Sequence, residues 1–323
     1  MKYKTIKLSH TNEIIQTYGV NSLMAKVIES KKIDQKQFKS FMDPHLIYHD
    51  FSLFEEADET LERIEEAIAN KEKICIYGDY DCDGILATTI LVQAFHERGV
   101  EVGYHIPNRF TDGYGLNTTR VEQMAEKGYS LIITVDNGIK AFDAVEKAGE
   151  LGIDVIITDH HAFDGEVPVA YSIIHTKMSP KYPFKEICGG FIAYKLAAAL
   201  LKHHDPYLFT LASITTISDM MPLLDENRSL VRRGLQFMKQ YKYPSLELLK
   251  GSRDYNATTI GFTIAPRINA FGRLPELVNP VYLVKYFLKE ADPAYQEKIS
   301  NYASKINSKR QSLTTSLYKE AVT

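Results

Sequence analysis

Cysteine is scarce in this sequence: Cys75, Cys82 and Cys188 are the only three in 323 residues, odd in number and in no C-x-x-C spacing. That pattern excludes a disulfide framework and a zinc knuckle, and leaves the thiols reduced. Long apolar runs are missing too. The best candidate, "GGFIAYKLAAALL", is too short for a bilayer and carries Lys195. Neither sign of charge dominates, since 38 basic and 41 acidic side chains leave a net charge of -3. The global balance therefore gives no electrostatic pointer to nucleic acid, and any basic residues that meet such a partner must cluster locally. The opening "MKYKTIKLSHTNE" has no apolar h-region and no small-residue cleavage site, so export is not expected and cytoplasmic residence is the default. Internal repeats and low-complexity tracts are also absent.

What is present describes a soluble globular protein with a sizeable core: 45% of residues are hydrophobic and 24% charged. From residue 57 onward, helix-patterned segments such as "ILATTILVQAFHERG" and "KAFDAVEKAGELG" alternate with short apolar runs, "KICIYGD", "VEVGYHIP", "SLIITVD", "IDVIITDHH" and "VAYSIIH". Ile- and Val-rich strands without polar alternation belong to a parallel sheet buried on both faces. Their alternation with helices predicts an α/β fold, an open, mostly parallel sheet flanked by helices with right-handed crossovers. Residues 1–56 read as a helical preface packed on the main domain, with "IDQKQFKSFMDP" ending at Pro44; residues 57–290 read as the catalytic domain. Residues 206–250 read as further helices against the sheet. Segment 291–323 spaces Ile299, Tyr302, Ile306, Leu313 and Leu317 helically, which predicts a linker helix of about 30 residues, roughly 45 Å long. The pattern is still running at Thr323, so a further domain is expected beyond it.

The stretch "IYGDYDCDG" matches the first six positions of an EF-hand loop. The twelfth position, where calcium needs a bidentate acid, is Ile90, and a strand rather than a helix precedes the loop. Calcium is excluded. Ligands of an open parallel sheet bind at the carboxyl ends of its strands. There the sequence places Asp79, Asp81 and Asp83, then Asp136, then Asp159, His160 and His161, with Asp219 at the end of another apolar segment. Singly, such an Asp is ordinarily a turn former or an N-cap, and for Asp219 the cap reading stands level with the functional one. The doublet His203–His204 is read as a helix end complementing its dipole. Three strand ends carrying the same chemistry are harder to dismiss. Carboxylates that converge repel, and divalent cations are the usual remedy. Carboxylate oxygen with imidazole nitrogen suits Mn2+ or Mg2+, with Mn2+ preferred, and a shared Asp between two ions suits phosphoryl chemistry.

"DYDCDG", "VDNG", "TDHH" and "ISDMMPL", in this order, resemble the motifs of the DHH phosphoesterase superfamily, and "IPNRFTDGYGLN" and "APRINAFGRL" resemble its RecJ branch, single-strand-specific 5′ to 3′ DNA exonucleases. Cys82 and Phe271 stand where that branch usually has alanine, and a thiol beside the carboxylates suggests sensitivity to oxidation. The resemblance implies two divalent cations held by Asp81, Asp83, Asp136, His160 and Asp219, with Asp136 bridging. Where smaller relatives have a histidine ligand this sequence has Tyr77, for which Asp79 or water substitutes. His161 is expected to face the scissile phosphate, and Asp159 to orient the histidines. Arg109, Arg267 and Arg273 are expected to meet phosphates, and Tyr114 either stacks on a base or is a plain loop aromatic. Pro266, Asn269 and Gly272 read as turn-shaping residues, Asn269 also as a substrate contact.

The expected function is a metal-dependent exonuclease acting on single-stranded DNA with a free 5′ end. It would release 5′ mononucleotides in repair and recombination, with a single-strand-binding protein or a helicase as candidate partner. Two alternatives stand beside it: a phosphoesterase of short RNA, cyclic dinucleotides or pyrophosphate, and a non-catalytic replication scaffold. The sequence has no "GGH" segment of the DHH-associated substrate domain; if the chain ends at Thr323, a metal site with weak, distributive activity is expected.

Overall fold

The computed structural model describes residues 7–43 and 45–322; Pro44, expected to close a helix, lies outside them, as do the first six residues and Thr323. A preface of α1 (Thr11–Tyr18), α2 (Ser22–Ser30) and α3 (Gln35–Met42) precedes α4 (Ala57–Ala69). The alternating part runs β1 (Ile74–Tyr77), α5 (Cys82–Glu97), β2 (Gly103–His105), α6 (Thr118–Glu126), β3 (Leu131–Val135), α7 (Phe142–Glu150), β4 (Asp154–Thr158) and β5 (Ser172–Ile174). Helices follow: α8 (Gly189–Leu201), α9 (Pro206–Ser218), α10 (Asp225–Tyr241), α11 (Pro244–Lys250), α12 (Ala257–Thr259), α13 (Ala265–Arg273), α14 (Val281–Phe287) and α15 (Pro293–Val322). A π-helical turn, Ile260–Ile264, joins α12 to α13.

The five strands are all parallel, in the order β2-β1-β3-β4-β5. Both faces are covered: Ile74, Ile76 and Ile133 enter one core, while Cys75, Tyr77 and Ile132 enter the other. That double burial is why the strands read as unbroken apolar runs. The chain begins the sheet in its interior, lays β2 on one side of β1 and β3 to β5 on the other, so the topology switches direction between β1 and β3. Such a switch opens a crevice at the carboxyl ends of the strands.

Helix α5 is buried from Cys82 to Phe95 because it lies between the sheet and the helices α8, α9 and α14. A helix covered on every side has no polar face, hence "ILATTILVQAF". Helices α9 and α10 were expected against the sheet. They pack mainly on α5, on α8 and on each other, because α5 and α8 already occupy that face. Lys195, which interrupts the apolar run of α8, is fully buried, 2.7 Å from the equally buried Glu226, under the Tyr48 ring. The preface has a small core of Ile28, Ile33 and Phe41, and docks on α10 where Arg228 donates to the Phe41 carbonyl at 2.9 Å and Arg232 to that of Asp43 at 2.8 Å.

Of two expectations about helices, one is met and one needs correction. Helix α15 has the anticipated 30 residues; of the five spaced residues Ile299 and Ile306 are buried, Tyr302 is on the same half of the helix but exposed, and Leu313 and Leu317 lie beyond Ile306, the last buried residue of the helix. Helix α8 stops at Leu201, before the histidine pair. His203 Nδ1 does lie 3.0 Å from the Leu201 carbonyl, whereas His204 pairs with the Tyr194 hydroxyl at 2.8 Å. None of the described helices is long and apolar enough to cross a membrane.

Candidate metal centre

The acids that follow β1, β3 and β4 meet at the carboxyl edge of the sheet, beside the switch point. Asp81 is the N-cap of α5: its Oδ1 accepts the amides of Asp83 at 2.8 Å and Gly84 at 3.1 Å. The bland cap reading is therefore correct for one oxygen of Asp81. Asp83, in the first turn of α5, is 2% exposed and receives the amides of Gly189 and Gly190 on its two oxygens. Asp136 follows β3 in a left-handed conformation, φ 61°, with its amide still bonded to Thr158 in the neighbouring strand. That turn folds its side chain back over the sheet edge beside Gly189.

His160 Nε2 lies 3.1 Å from Asp136 Oδ1, 3.7 Å from Asp219 Oδ2 and 3.8 Å from Asp83 Oδ2. Asp219 arrives from the far end of α9, where it is the C-cap residue. It caps no helix start, and a carboxylate at a helix C-terminus opposes the dipole, so local structure gives it no reason to be acidic. The N-cap of the next helix is Leu224.

In the sets Asp79–Asp81–Asp136, Asp83–His160–Asp219 and Asp136–His160–His161, one ligand atom from each residue lies within 4.8 Å of the others. The sets fit divalent cations for a physical reason beyond proximity. Asp79 Oδ1, Asp136 Oδ1 and His160 Nε2 are buried without a hydrogen-bond partner, a costly arrangement unless an ion takes up those lone pairs. Burial, and then the charge of Asp81, pushes the Asp79 carboxyl up to about 7. Burial and the nearby Asp83 push Asp219 up to about 7 as well. Asp136 is held well above the ordinary carboxylate range by burial and by Asp83 and Asp81. Burial lowers His160, keeping it neutral and able to coordinate. A fourth set, Glu97, His203 and Asp205, differs in kind: Lys289 pairs with Glu97 at 2.6 Å and Asp205 at 2.7 Å, so its charge is already met.

Asp159 is 1% exposed and saturated. Its Oδ1 accepts the His160 amide at 2.7 Å, the His161 amide at 3.1 Å and His161 Nδ1 at 2.7 Å; its Oδ2 accepts the Ile139 amide at 3.0 Å. Burial alone would raise this carboxyl, but the hydrogen bond and charge of His161 outweigh it and hold it low. The same pair acts on His161, where burial disfavours the charged ring and Asp159 more than compensates, holding it above its ordinary value. His161 borders a cavity of about 440 Å³ shared with Tyr114, Lys140 and Ala162.

Tyr77 is not among the acids: its hydroxyl donates to the Gly115 carbonyl at 3.1 Å and anchors the loop that carries Tyr114. The Tyr114 hydroxyl reaches the Asp136 carbonyl and the His161 ring, each at 3.3 Å. Arg109 stands on the same loop with its guanidinium 5.5 Å from the Tyr80 ring. Arg273 is exposed at the end of α13. Arg267 and Asn269 face the protein instead: Arg267 donates to the Leu249 carbonyl, and Asn269 Oδ1 accepts the Cys82 amide at 2.7 Å.

"APRINAFGRL" is a helix, not the turn its Pro, Asn and Gly suggested. Pro266 is tolerated in the first turn, and Gly272 is required by close approach, since a Cβ there would stand 2.1 Å from the Tyr80 carbonyl oxygen. Phe271 is fully buried. Cys82 is 1% exposed with its thiol pushed above the ordinary range by burial, which removes the basis for expecting easy oxidation. Sequence reasoning passed over Gly189 and Gly190, read only as the start of an apolar helix; the doublet of glycines was the available signal.

Known proteins resemble this chain in sequence and in fold. A family model described as "DHH family, N-terminal domain" matches residues 73–218. The chain is 40% identical over 270 residues to the single-stranded-DNA-specific exonuclease RecJ of Bacillus subtilis, covering 82% of this chain and 34% of that protein. It is 34% identical over 263 residues to RecJ of Thermus thermophilus, covering 80% and 38%. A crystal structure of exonuclease RecJ bound to manganese superposes with a TM-score of 0.76 at 31% identity, covering 83% of this chain and 69% of that one. The crystal structure of the Thermus thermophilus RecJ in complex with Mn2+ gives a TM-score of 0.79 at 27% identity, covering 98% and 46%. The chain spans less than half the length of these curated relatives.

Proposed function

The chain belongs to the DHH family, in its RecJ branch, and from that premise we propose that it is a metal-dependent exonuclease acting on single-stranded DNA. It works from a 5′ end, releases 5′ mononucleotides, and serves DNA repair and recombination. One observation carries the reading: buried carboxylate and imidazole atoms without hydrogen-bond partners, Asp79 Oδ1, Asp136 Oδ1 and His160 Nε2, belong to adjoining sets of metal-ligating side chains. A scaffold with no catalytic role has no use for that unrelieved cost. In this reading residues 57–290 carry the catalysis, the described part of the preface packs on them, and α15 is a linker helix.

Mn2+ or Mg2+ would be held by Asp79, Asp81, Asp83, Asp136, His160 and Asp219, with Asp136 common to two of the sets. When bound, such ions make water nucleophilic at neutral pH and offset charge on the phosphoryl group. Hydrolysis forms one bond from water oxygen to phosphorus and breaks the bond from phosphorus to O3′ of the terminal nucleotide, whose oxygen takes a proton. Asp159 fixes the His161 ring through Nδ1 and favours its protonated form; Nε2, 3.3 Å from the Tyr114 hydroxyl, is then the atom that exchanges this neighbour for the phosphate or the departing O3′. Arg109 and Arg273 supply exposed positive charge for the strand, and Tyr114 a half-exposed ring for its bases.

A Mn2+-dependent assay on single-stranded oligonucleotides blocked at one end or the other tests metal, strand state and polarity together. Degradation of the 3′-blocked strand alone is expected. Degradation from the 3′ end, or turnover of dinucleotides in preference to DNA, would replace this reading with the small-substrate alternative.

A further inference from the structure

Both oxygens of Asp83 are taken by backbone amides at the start of α8. Gly189 donates to Oδ2 at 2.8 Å and Gly190 to Oδ1 at 2.8 Å. First-turn amides have no partner within their own helix, and the N-cap residue Cys188 supplies no side-chain acceptor. The acceptor is a carboxylate of the metal cluster, set against the positive end of a 13-residue helix.

Neither glycine is needed for its backbone, because neither is among the residues with positive φ. Space is the reason. A Cβ on Gly189 would stand 2.6 Å from Asp136 Oδ1 and 2.8 Å from its Cα; one on Gly190 would stand 2.5 Å from the Thr215 side chain and 2.8 Å from Asp83 Oδ1. The same two residues therefore touch both Asp83 and Asp136, which come from different strand ends.

We infer that Gly189 and Gly190 are positioning residues of the metal centre: their amides fix the Asp83 carboxylate toward His160 and Asp219, and their missing side chains let Asp136 close on the same helix start. The inference rests on Asp83 being a metal ligand. Groups that orient a ligating carboxylate from behind typically change metal affinity about 10- to 100-fold when removed.

The test is an amide-to-ester replacement at position 190, glycolic acid for Gly190, which deletes the N–H and adds no side chain. The control is the same backbone change at Phe191, whose amide donates to the Cys188 carbonyl in the same turn and does not touch Asp83. Mn2+ binding is read from the electron paramagnetic resonance signal of the free ion, without any turnover. The ester at 190 should weaken binding about tenfold or more, and the ester at 191 less than about twofold. Gly190→Ala in a Thr215→Ala background is the second variant; it has room at Thr215 but still presses on Asp83, and should lose as much relative to Thr215→Ala alone. If the unaltered protein binds no Mn2+, the metal reading and this inference fall together. If it binds Mn2+ and either the 190 ester or the alanine variant binds as tightly as its reference, the inference alone is overturned.

Discussion

Nε2 of His160 and Oδ1 of Asp136 face each other at 3.1 Å, and neither atom has a hydrogen-bond partner. Burial lowers the pKa of the imidazole and raises that of the carboxyl, so the folded chain disfavours the charged form of each. A cation held by both atoms, as the proposed function requires, would relieve that cost.

Asp136 is accordingly the residue whose charge matters most. Its left-handed φ of 61° makes Asn the right replacement, because Asn adopts this conformation readily whereas Ala is strained there by about 1 kcal/mol or more. Asp136→Asn should lower Mn2+-dependent hydrolysis of single-stranded DNA about 100-fold or more. The same variant should melt higher than the parent in chelator at pH 7.5, by about 2 °C or more, since it removes a repelled buried charge. Near-normal hydrolysis would sink the assignment of Asp136; an unchanged melting temperature would mean that the acids do not repel as their geometry implies.

Metal binding should be visible as stability. An ion present at about 100 times its dissociation constant adds about 2.7 kcal/mol to a protein that binds it only when folded. Mn2+ should therefore raise the melting temperature of the parent by about 4 °C and leave Asp136→Asn nearly unmoved. Equal shifts in both proteins would place the bound ion elsewhere.

The resemblance to smaller DHH enzymes leads to the expectation of a metal-ligating histidine where Tyr77 stands, and the Tyr77 hydroxyl holds the Gly115 carbonyl. Tyr77→Phe should cost about 1 kcal/mol of stability by leaving that carbonyl unpaired. It should also weaken binding of single-stranded DNA through the loosened Arg109–Tyr114 loop, with Mn2+ affinity unchanged. A drop in Mn2+ affinity would instead make Tyr77 a participant in the metal centre.

His105 gives the fold a pH dependence of its own. Burial, followed by the charge of Arg120, depresses its pKa below the ordinary value of 6.5. Below that pH the unfolded chain takes up a proton that the folded one resists, so the stability from neutral His105 is full above about 6.5 and lost as pH falls toward the depressed folded value. The raised Asp79 and Asp219 work in the opposite sense, so the informative quantity is a difference. The melting temperature of the parent minus that of His105→Gln should shrink between pH 7 and pH 5. A constant difference would show that His105 titrates alike in both states.

Much of this was legible before the fold was known, where local rules and tertiary demands agree. β1, β3 and β4 read as buried strands because a strand covered on both faces has no polar alternation, and the acids after them mark the edge where parallel sheets bind ligands. The misreadings fall where a long-range contact overrode a local preference. Pro266, Asn269 and Gly272 look like a turn, but Gly272 is glycine so that a helix can touch the Tyr80 carbonyl, and Asn269 is spent on the Cys82 amide. Tyr302 and Leu313 have helical spacing but stay exposed, because spacing along one helix does not say what lies beside it.

By itself, then, the sequence determined the parallel α/β sheet, the acids at its carboxyl edge and the family, because hydrophobic period and motif order are properties of neighbouring residues. Tertiary structure alone decided which lone pairs are left unpaired, that Asp219 faces Asp83 across His160, and that the two glycines opening α8 hold the carboxylate beside them. Those relations join residues far apart along the chain, and only packing sets the distance between them.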